Sequence, residues 1–152
     1  MTDFKAHDEH FAKRVRESFS RQGVMGYLGA VLADVGAGHC EIHLPYHDGL
    51  SQQHGFFHGG IVGTIADSAA GYAGYSLMPA DSSVLTVEYK MNLLAPADGE
   101  LLIARGAVIK AGRNLVIAKA DVGVVKAGRE KPCATLLQTL MTALNRPDLS
   151  PG

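Results

Sequence analysis

Residues Gly55 to Met78 read GFFHGGIVGTIADSAAGYAGYSLM, and the reading of this stretch decides the fold. From Gly59 no proline intervenes until Pro79, and Ile61, Val62, Ile65, Ala69, Tyr72 and Leu77 recur at helical spacing. The spacing predicts a central helix over 59–78, about five turns at 3.6 residues each. On a helical wheel Gly60, Gly63, Thr64, Ala70, Gly71 and Gly74 fall within about 60° of Asp67, while Ile61, Val62, Ile65 and Tyr72 fall on the opposite side. One face is therefore expected to pack on a core and the other to let something approach the backbone. Glycine inside a helix costs roughly 0.5 to 1 kcal/mol against alanine, so Gly63, Gly71 and Gly74 need an offsetting gain such as tight packing on a sheet or a second subunit. Asp67 needs a different account. A carboxylate halfway along a mostly apolar helix must be paired, hydrogen-bonded or reached by water, and its position excludes an N-cap role.

Upstream, residues 46–58 form an irregular loop that delivers His54, Gly55, His58 and Gly59 to the helix start. Helix N-termini carry unpaired N–H donors and partial positive charge, so the N–H groups near Gly59 are placed to polarise a carbonyl oxygen. His54 and His58 invite a base or nucleophile reading, but neither has an obvious serine or cysteine partner. Tyr27 to Leu44 is strand-like, with Gly36 to Gly38 as a hairpin turn and Pro45 as its end. In the second arm His39, Glu41 and His43 alternate with Cys40, Ile42 and Leu44, so the polar trio shares one face. At about 3.3 Å per residue His39 and His43 lie roughly 13 Å apart, too far for one ion, and a solvated face is expected instead of a metal site. Residues 8–22 place Phe11, Val15 and Phe19 on one stripe, with Asp8 and Glu9 first and Arg14, Arg16 and Arg21 later, which predicts an amphipathic N-terminal helix stopped by Gly23.

Downstream of Pro79 four strands are expected: Ser83 to Leu94, Glu100 to Lys110, Asn114 to Lys126 and Pro132 to Leu144. Val116, Ala118, Ala120, Val122 and Val124 line one face of the third, with Lys119 and Asp121 on the other. The matching row of the second strand, Leu102, Ala104, Gly106 and Val108, is small, as suits a sheet that curls around a helix. The turns KAGRN (Lys110 to Asn114) and KAGRE (Lys126 to Glu130) are near copies, read as hairpin turns whose glycines adopt the left-handed conformation. Plain alternation puts Thr86 on the same face as Glu88 and Lys90.

The whole chain, 152 residues, suits a single domain spanning 1–152, with the N-terminal helix within 1–23 and a flexible tail over 145–152. Hydrophobic residues make up 47% and charged residues 19%, a globular balance. A net charge of -1 leaves no basic footprint for nucleic acid. The charged start, MTDFKAHDEHFAKRVRES, has no apolar core of a secretory signal, and Asp67 with the glycines argues against a membrane span, so a cytosolic protein is expected. Cys40 and Cys133 are then read as reduced core residues.

The element order is similar to that of the hotdog fold, an α+β architecture in which an antiparallel sheet wraps a long central helix. The segments QQHGFFHGGIVGTIAD (Gln52 to Asp67) and TVEYKMNLLAPA (Thr86 to Ala97) resemble the PaaI-type acyl-CoA thioesterases, named for phenylacetate degradation, and the likeness covers about residues 24–143. The resemblance implies that Asp67 acts as nucleophile or general base on the thioester, that the Gly59 N–H is the oxyanion donor, that Gln52 (usually asparagine) helps place water or substrate, and that Thr86 assists the water. It implies a homodimer with edge-to-edge sheets and sites between subunits, often paired into a tetramer, with no metal or redox cofactor and coenzyme A entering as part of the substrate. His58 and Gly60 beside the oxyanion donor are candidate substrate contacts, and Lys110, Arg113 and Asn114 candidate contacts to the coenzyme A phosphates. Two alternatives stand beside hydrolysis: an enoyl- or hydroxyacyl-thioester hydratase or dehydratase pairing His58 with Asp67, and a protein that binds acyl-CoA without cleaving it.

Overall fold

The computed structural model describes residues 3–145, so the expected tail lies, from residue 146, outside the described residues. Two helices open the chain, α1 (Phe11–Arg21) and α2 (Gly23–Leu28), followed by strands β1 (Val31–Gly36) and β2 (His39–Pro45). After a short 3-10 turn (Asp48–Leu50) comes the central helix α3 (Gly59–Tyr75), then β3 (Ser83–Leu93), β4 (Leu101–Ala111), β5 (Leu115–Lys126) and β6 (Arg129–Ala143). The first helix breaks at Gln22, whose backbone is extended (ψ 106°), and Gly23, expected to stop it, does not end the helical segment. It opens α2, which takes in Tyr27 and Leu28, so the first strand begins at Val31 and not at Tyr27. Two turns of helix hold too few residues to show a 3.6-residue period.

All six strands are antiparallel, in the order β1-β2-β4-β5-β6-β3. The chain leaves β2 near one edge and re-enters at β3 on the far edge, so α3, lying between them in sequence, crosses the inner face. The inner rows are those the alternation indicates: Leu102, Ala104, Gly106 and Val108 on β4, and Val116, Ala118, Ala120, Val122 and Val124 on β5, are buried. The small row on β4 lets the backbones meet. A Cβ on Gly106 would lie 2.1 Å from the Ala69 carbonyl oxygen of α3. The helix is also covered more completely than a one-sided wheel suggests, since every residue from Ala69 to Tyr75 is buried. Gly74 faces Leu140 and Val116 of the sheet, whereas nothing lies within 4 Å of a Cβ on Gly71. Tight packing on the sheet thus accounts for Gly74 and leaves Gly71 without a steric reason inside this chain.

The C-terminal end of α3 is closed by α1. Arg14 donates through Nη1 to the Pro79 carbonyl (2.9 Å) and through Nη2 to those of Met78 (2.7 Å) and Tyr75 (3.3 Å). Its guanidinium lies over the Tyr75 ring, 4.3 Å from the centroid, and Asp8 Oδ2 sits 3.1 Å from Nε. Helix C-termini leave carbonyls unsatisfied, and a cation there also complements the helix dipole. Ser82 also donates to the Pro79 carbonyl, the Met78 N–H to that of Tyr75 and the His10 N–H to Asp8, so R14A leaves the Met78 carbonyl without its donor and Asp8 without its cation, and we expect it to cost about 2 kcal/mol in urea unfolding.

The near-copied turns differ in mechanism. Ala127 (φ 50°) and Gly128 (φ 75°) form a two-residue hairpin loop with both residues left-handed, the geometry that matches strand twist. Gly112 is not left-handed; it is small because a Cβ there would lie 2.5 Å from the Leu115 carbonyl, to which its own N–H donates. Among the described residues no helix is long and apolar enough to cross a membrane.

Candidate active site

Asp67 sits midway along α3, half-buried, beside a cavity of about 250 Å³ that Ser18, Gln22, Tyr72 and Thr86 also line. Thr86 Oγ1 donates to its Oδ1 at 2.8 Å. This contact exists because β3 carries a bulge: Thr86 pairs with Leu140 and Glu88 with Thr139, leaving Val87 as the extra residue. Plain alternation therefore fails at Val87. Thr86, Tyr89, Met91 and Leu93 pair with the inner row of β6, while Glu88 and Lys90 pair with its outer row, Thr139 and Leu137. Bulges re-aim side chains in this way next to functional sites.

A residue that the sequence reading passed over completes the group. Gln138 of β6, 1% exposed, donates through Nε2 to Asp67 Oδ1 and to Thr86 Oγ1 (2.9 Å). Its signal was present in the pattern, as an amide among Ala134, Leu136 and Leu140 on the inward row of a strand.

The start of α3 forms a second centre. His58 is its N-cap, and Nδ1 accepts the Gly60 N–H at 2.9 Å. That bond occupies Gly60 as a donor and ties His58 to the helix end. The Gly59 N–H finds no acceptor among the described residues. Gln52 Oε1 accepts the backbone N–H groups of His54 (2.5 Å) and Phe56 (3.3 Å), which spends the carbonyl end of the amide on its own loop and leaves the NH2 end as the donor. Gln52, Gly59, His54 and Phe57 line a cavity of about 500 Å³ distinct from that of Asp67.

The structure thus brings Asp67 to Thr86, and Gln52 to Gly59, but does not join the two pairs. Gly59 and Asp67 are eight residues apart on one helix, about 12 Å at 1.5 Å per residue. His58 is a residue further, so the His58–Asp67 pair of a hydratase does not form within one chain. Arg113 lines a third cavity with Leu77, Met78 and Pro79, which puts the β4–β5 turn of Lys110, Arg113 and Asn114 at the C-terminal end of α3, away from Gly59. His39 and His43 each take their own acid, Asp34 at 3.1 Å and Glu41 at 2.6 Å, and among the described residues no three such side chains gather as for a metal ion.

A curled antiparallel sheet around one helix, with a carboxylate at the helix midpoint and donors at its first turn, is the arrangement of the hotdog class. The thioesterase superfamily profile matches residues 54–133. The chain is 32% identical over 127 residues to a candidate esterase of Halobacterium salinarum, covering 80% of this chain and 82% of that protein. It is similar to the crystal structure of a thioesterase family protein from Silicibacter pomeroyi, at 47% identity and a TM-score of 0.87 over 88% of this chain and 98% of the other. A phenylacetic acid degradation-related protein from Ralstonia eutropha matches at 25% identity and a TM-score of 0.74, covering 88% and 99%. The chain belongs to the thioesterase superfamily and is a thioester hydrolase, and the PaaI-type likeness holds at family level.

Proposed function

We propose that the protein hydrolyses acyl-CoA thioesters, with Asp67 as nucleophile or general base and the Gly59 N–H as oxyanion donor. The observation that carries this reading is the Asp67 carboxylate itself, accessible from a cavity at the middle of a buried helix and fixed there by Thr86. As base, Asp67 takes a proton from water and the resulting hydroxide attacks the thioester carbon; as nucleophile, its oxygen attacks directly and water then cleaves the anhydride. In either case charge on the carbonyl oxygen is met by the Gly59 N–H, a donor of a kind worth about 2.7 to 4 kcal/mol, and the coenzyme A thiolate leaves. The Gln52 NH2 orients water or substrate at the same end. These steps run on the chain's own groups and water.

Since about 12 Å separates Gly59 from Asp67 on one helix, this reading requires each site to combine the start of α3 from one chain with the midpoint of α3 from another. Support comes from β3, an edge strand of eleven residues on which Leu85, Val87 and Tyr89 are 51%, 57% and 48% exposed. A long apolar edge pairs readily with a second copy. Leu115, Leu137 and Met141 on the outer face offer a surface for a dimer of dimers. Lys110, Arg113 and Asn114 would then meet the phosphates of a substrate held across two chains. A cytosolic location completes the proposal.

The test is thiol release from a panel of acyl-CoA substrates. The protein's own thiols do not interfere: burial pushes Cys40 up to about 12 and Cys133 to about 11, so neither is a thiolate at assay pH. Calorimetric binding without thiol release would instead identify an acyl-CoA-binding protein, and loss of enoyl absorbance a hydratase. The shared site is tested by complementation. Proline is tolerated at the first helical position, and His58 (ψ 138°) already has the extended backbone that precedes proline, so G59P deletes one N–H at the cost of displacing the end of the Leu93 side chain, which lies 2.9 Å from the new Cβ. G59P and D67N are each expected to be inactive alone, and co-assembled to recover about a quarter of wild-type activity, as a symmetric dimer dictates. No recovery would overturn the shared site.

A further inference from the structure

We propose that Gln138 is a positioning residue for Asp67: its carboxamide anchors carboxylate oxygen Oδ1, so that Oδ2 is the atom presented to water or thioester. The inference rests on Asp67 being the reacting group.

Three observations carry it. First, the amide stands where the core calls for a hydrocarbon. Its inward neighbours on β6, Leu136 and Leu140, are 2% and 0% exposed, and a leucine at 138 would continue the row without desolvating a polar group. Second, its hydrogen bonds converge. One Nε2 hydrogen goes to Asp67 Oδ1 and the other to Thr86 Oγ1, while the Thr86 hydroxyl proton goes to the same Oδ1. Two donors from two strands, β6 and β3, meet on a single carboxylate oxygen, and among the described residues none reaches Oδ2. This fixes the rotation of the carboxylate about its Cβ–Cγ bond. Third, the other end of the amide, Oε1, is buried with no partner. An orphaned buried acceptor destabilises a fold, so Gln138 does not serve the core; only its donor end is used, and it is used on Asp67.

The arrangement separates the carboxylate's two tasks. Oδ1 is held from the protein side, and Oδ2 faces the chemistry. Loss of the anchor leaves the charge in place but lets it turn, which weakens the transition state without weakening substrate binding.

The experiment compares Q138L and Q138M with wild type for kcat, KM and melting temperature, and runs D67N in parallel. The expected result is a kcat lower by about ten- to hundredfold, as for other small misplacements of a reacting group, with KM within about twofold and a melting temperature equal to or above wild type. Unchanged kcat overturns the proposal. So does a kcat loss accompanied by a lower melting temperature, or failure of both variants to fold, since either makes Gln138 a structural residue. Failure of the underlying reading shows separately, as turnover retained in D67N.

Discussion

D67N is expected to lower turnover of the best acyl-CoA substrate by about a thousandfold or more, with the melting temperature little changed. The substitution is nearly isosteric. The asparagine carbonyl can still accept from Thr86 and Gln138, so the hydrogen bonds that locate the group survive and only its charge and basicity go. An amide oxygen is neither a base for water nor a nucleophile toward a thioester. A structural role predicts the reverse pattern, with activity falling only as far as the fold does. Steady-state thiol release and a thermal melt on the same preparation separate the two, and undiminished turnover in D67N would remove Asp67 from the mechanism.

G106A, on the inner face of β4, is expected to abolish soluble folded protein or to cost more than about 4 kcal/mol. One added methyl would lie 2.1 Å from the Ala69 carbonyl oxygen, 2.3 Å from its carbon and 2.6 Å from the Ala70 nitrogen. These are backbone atoms of the central helix, with no rotamer to yield. The helix would have to lift from the sheet two residues from Asp67, opening the core around Ala69, Ala70 and Ala104. Expression, gel filtration and urea unfolding read the result. G23A, where nothing lies within 4 Å of the new methyl, is the matched control and should fold normally.

Gly106 also shows what the sequence could convey. The alternation on β4 and β5, the small inner row and the proline-free run after Gly59 are periodic signals, and periodicity reports which way a side chain faces. That was enough for the wrapped sheet and for α3, which ends at Tyr75, a turn before Met78. It did not show which glycine sets the helix-to-sheet distance, because close approach is a property of two elements and the helix wheel describes one. The same limit hid α2, too short to have a period, and the crowding that selects Gly112. In the site, Asp67 and Gly59 stood out because a charge on an apolar helix and glycines at its start conflict with local preference. Gln138 conflicts with its row as plainly, but a lone polar residue in a β-strand gains meaning only when its distant partner is known, and Asp67 is 71 residues away in the chain.

The extra residue at Val87 makes the length of β3, and not only its composition, part of the site's specification. Ahead of it the strand faces one way by parity, and behind it the other, so Thr86 and Tyr89 look inward together although three positions separate them. Within this chain Val87, 57% exposed, meets few side-chain constraints, but an insertion or deletion between Ser83 and Leu93 flips one half of the strand relative to the other. The number of residues in β3 therefore constrains the site more tightly than the identity of any one outward-facing side chain on it.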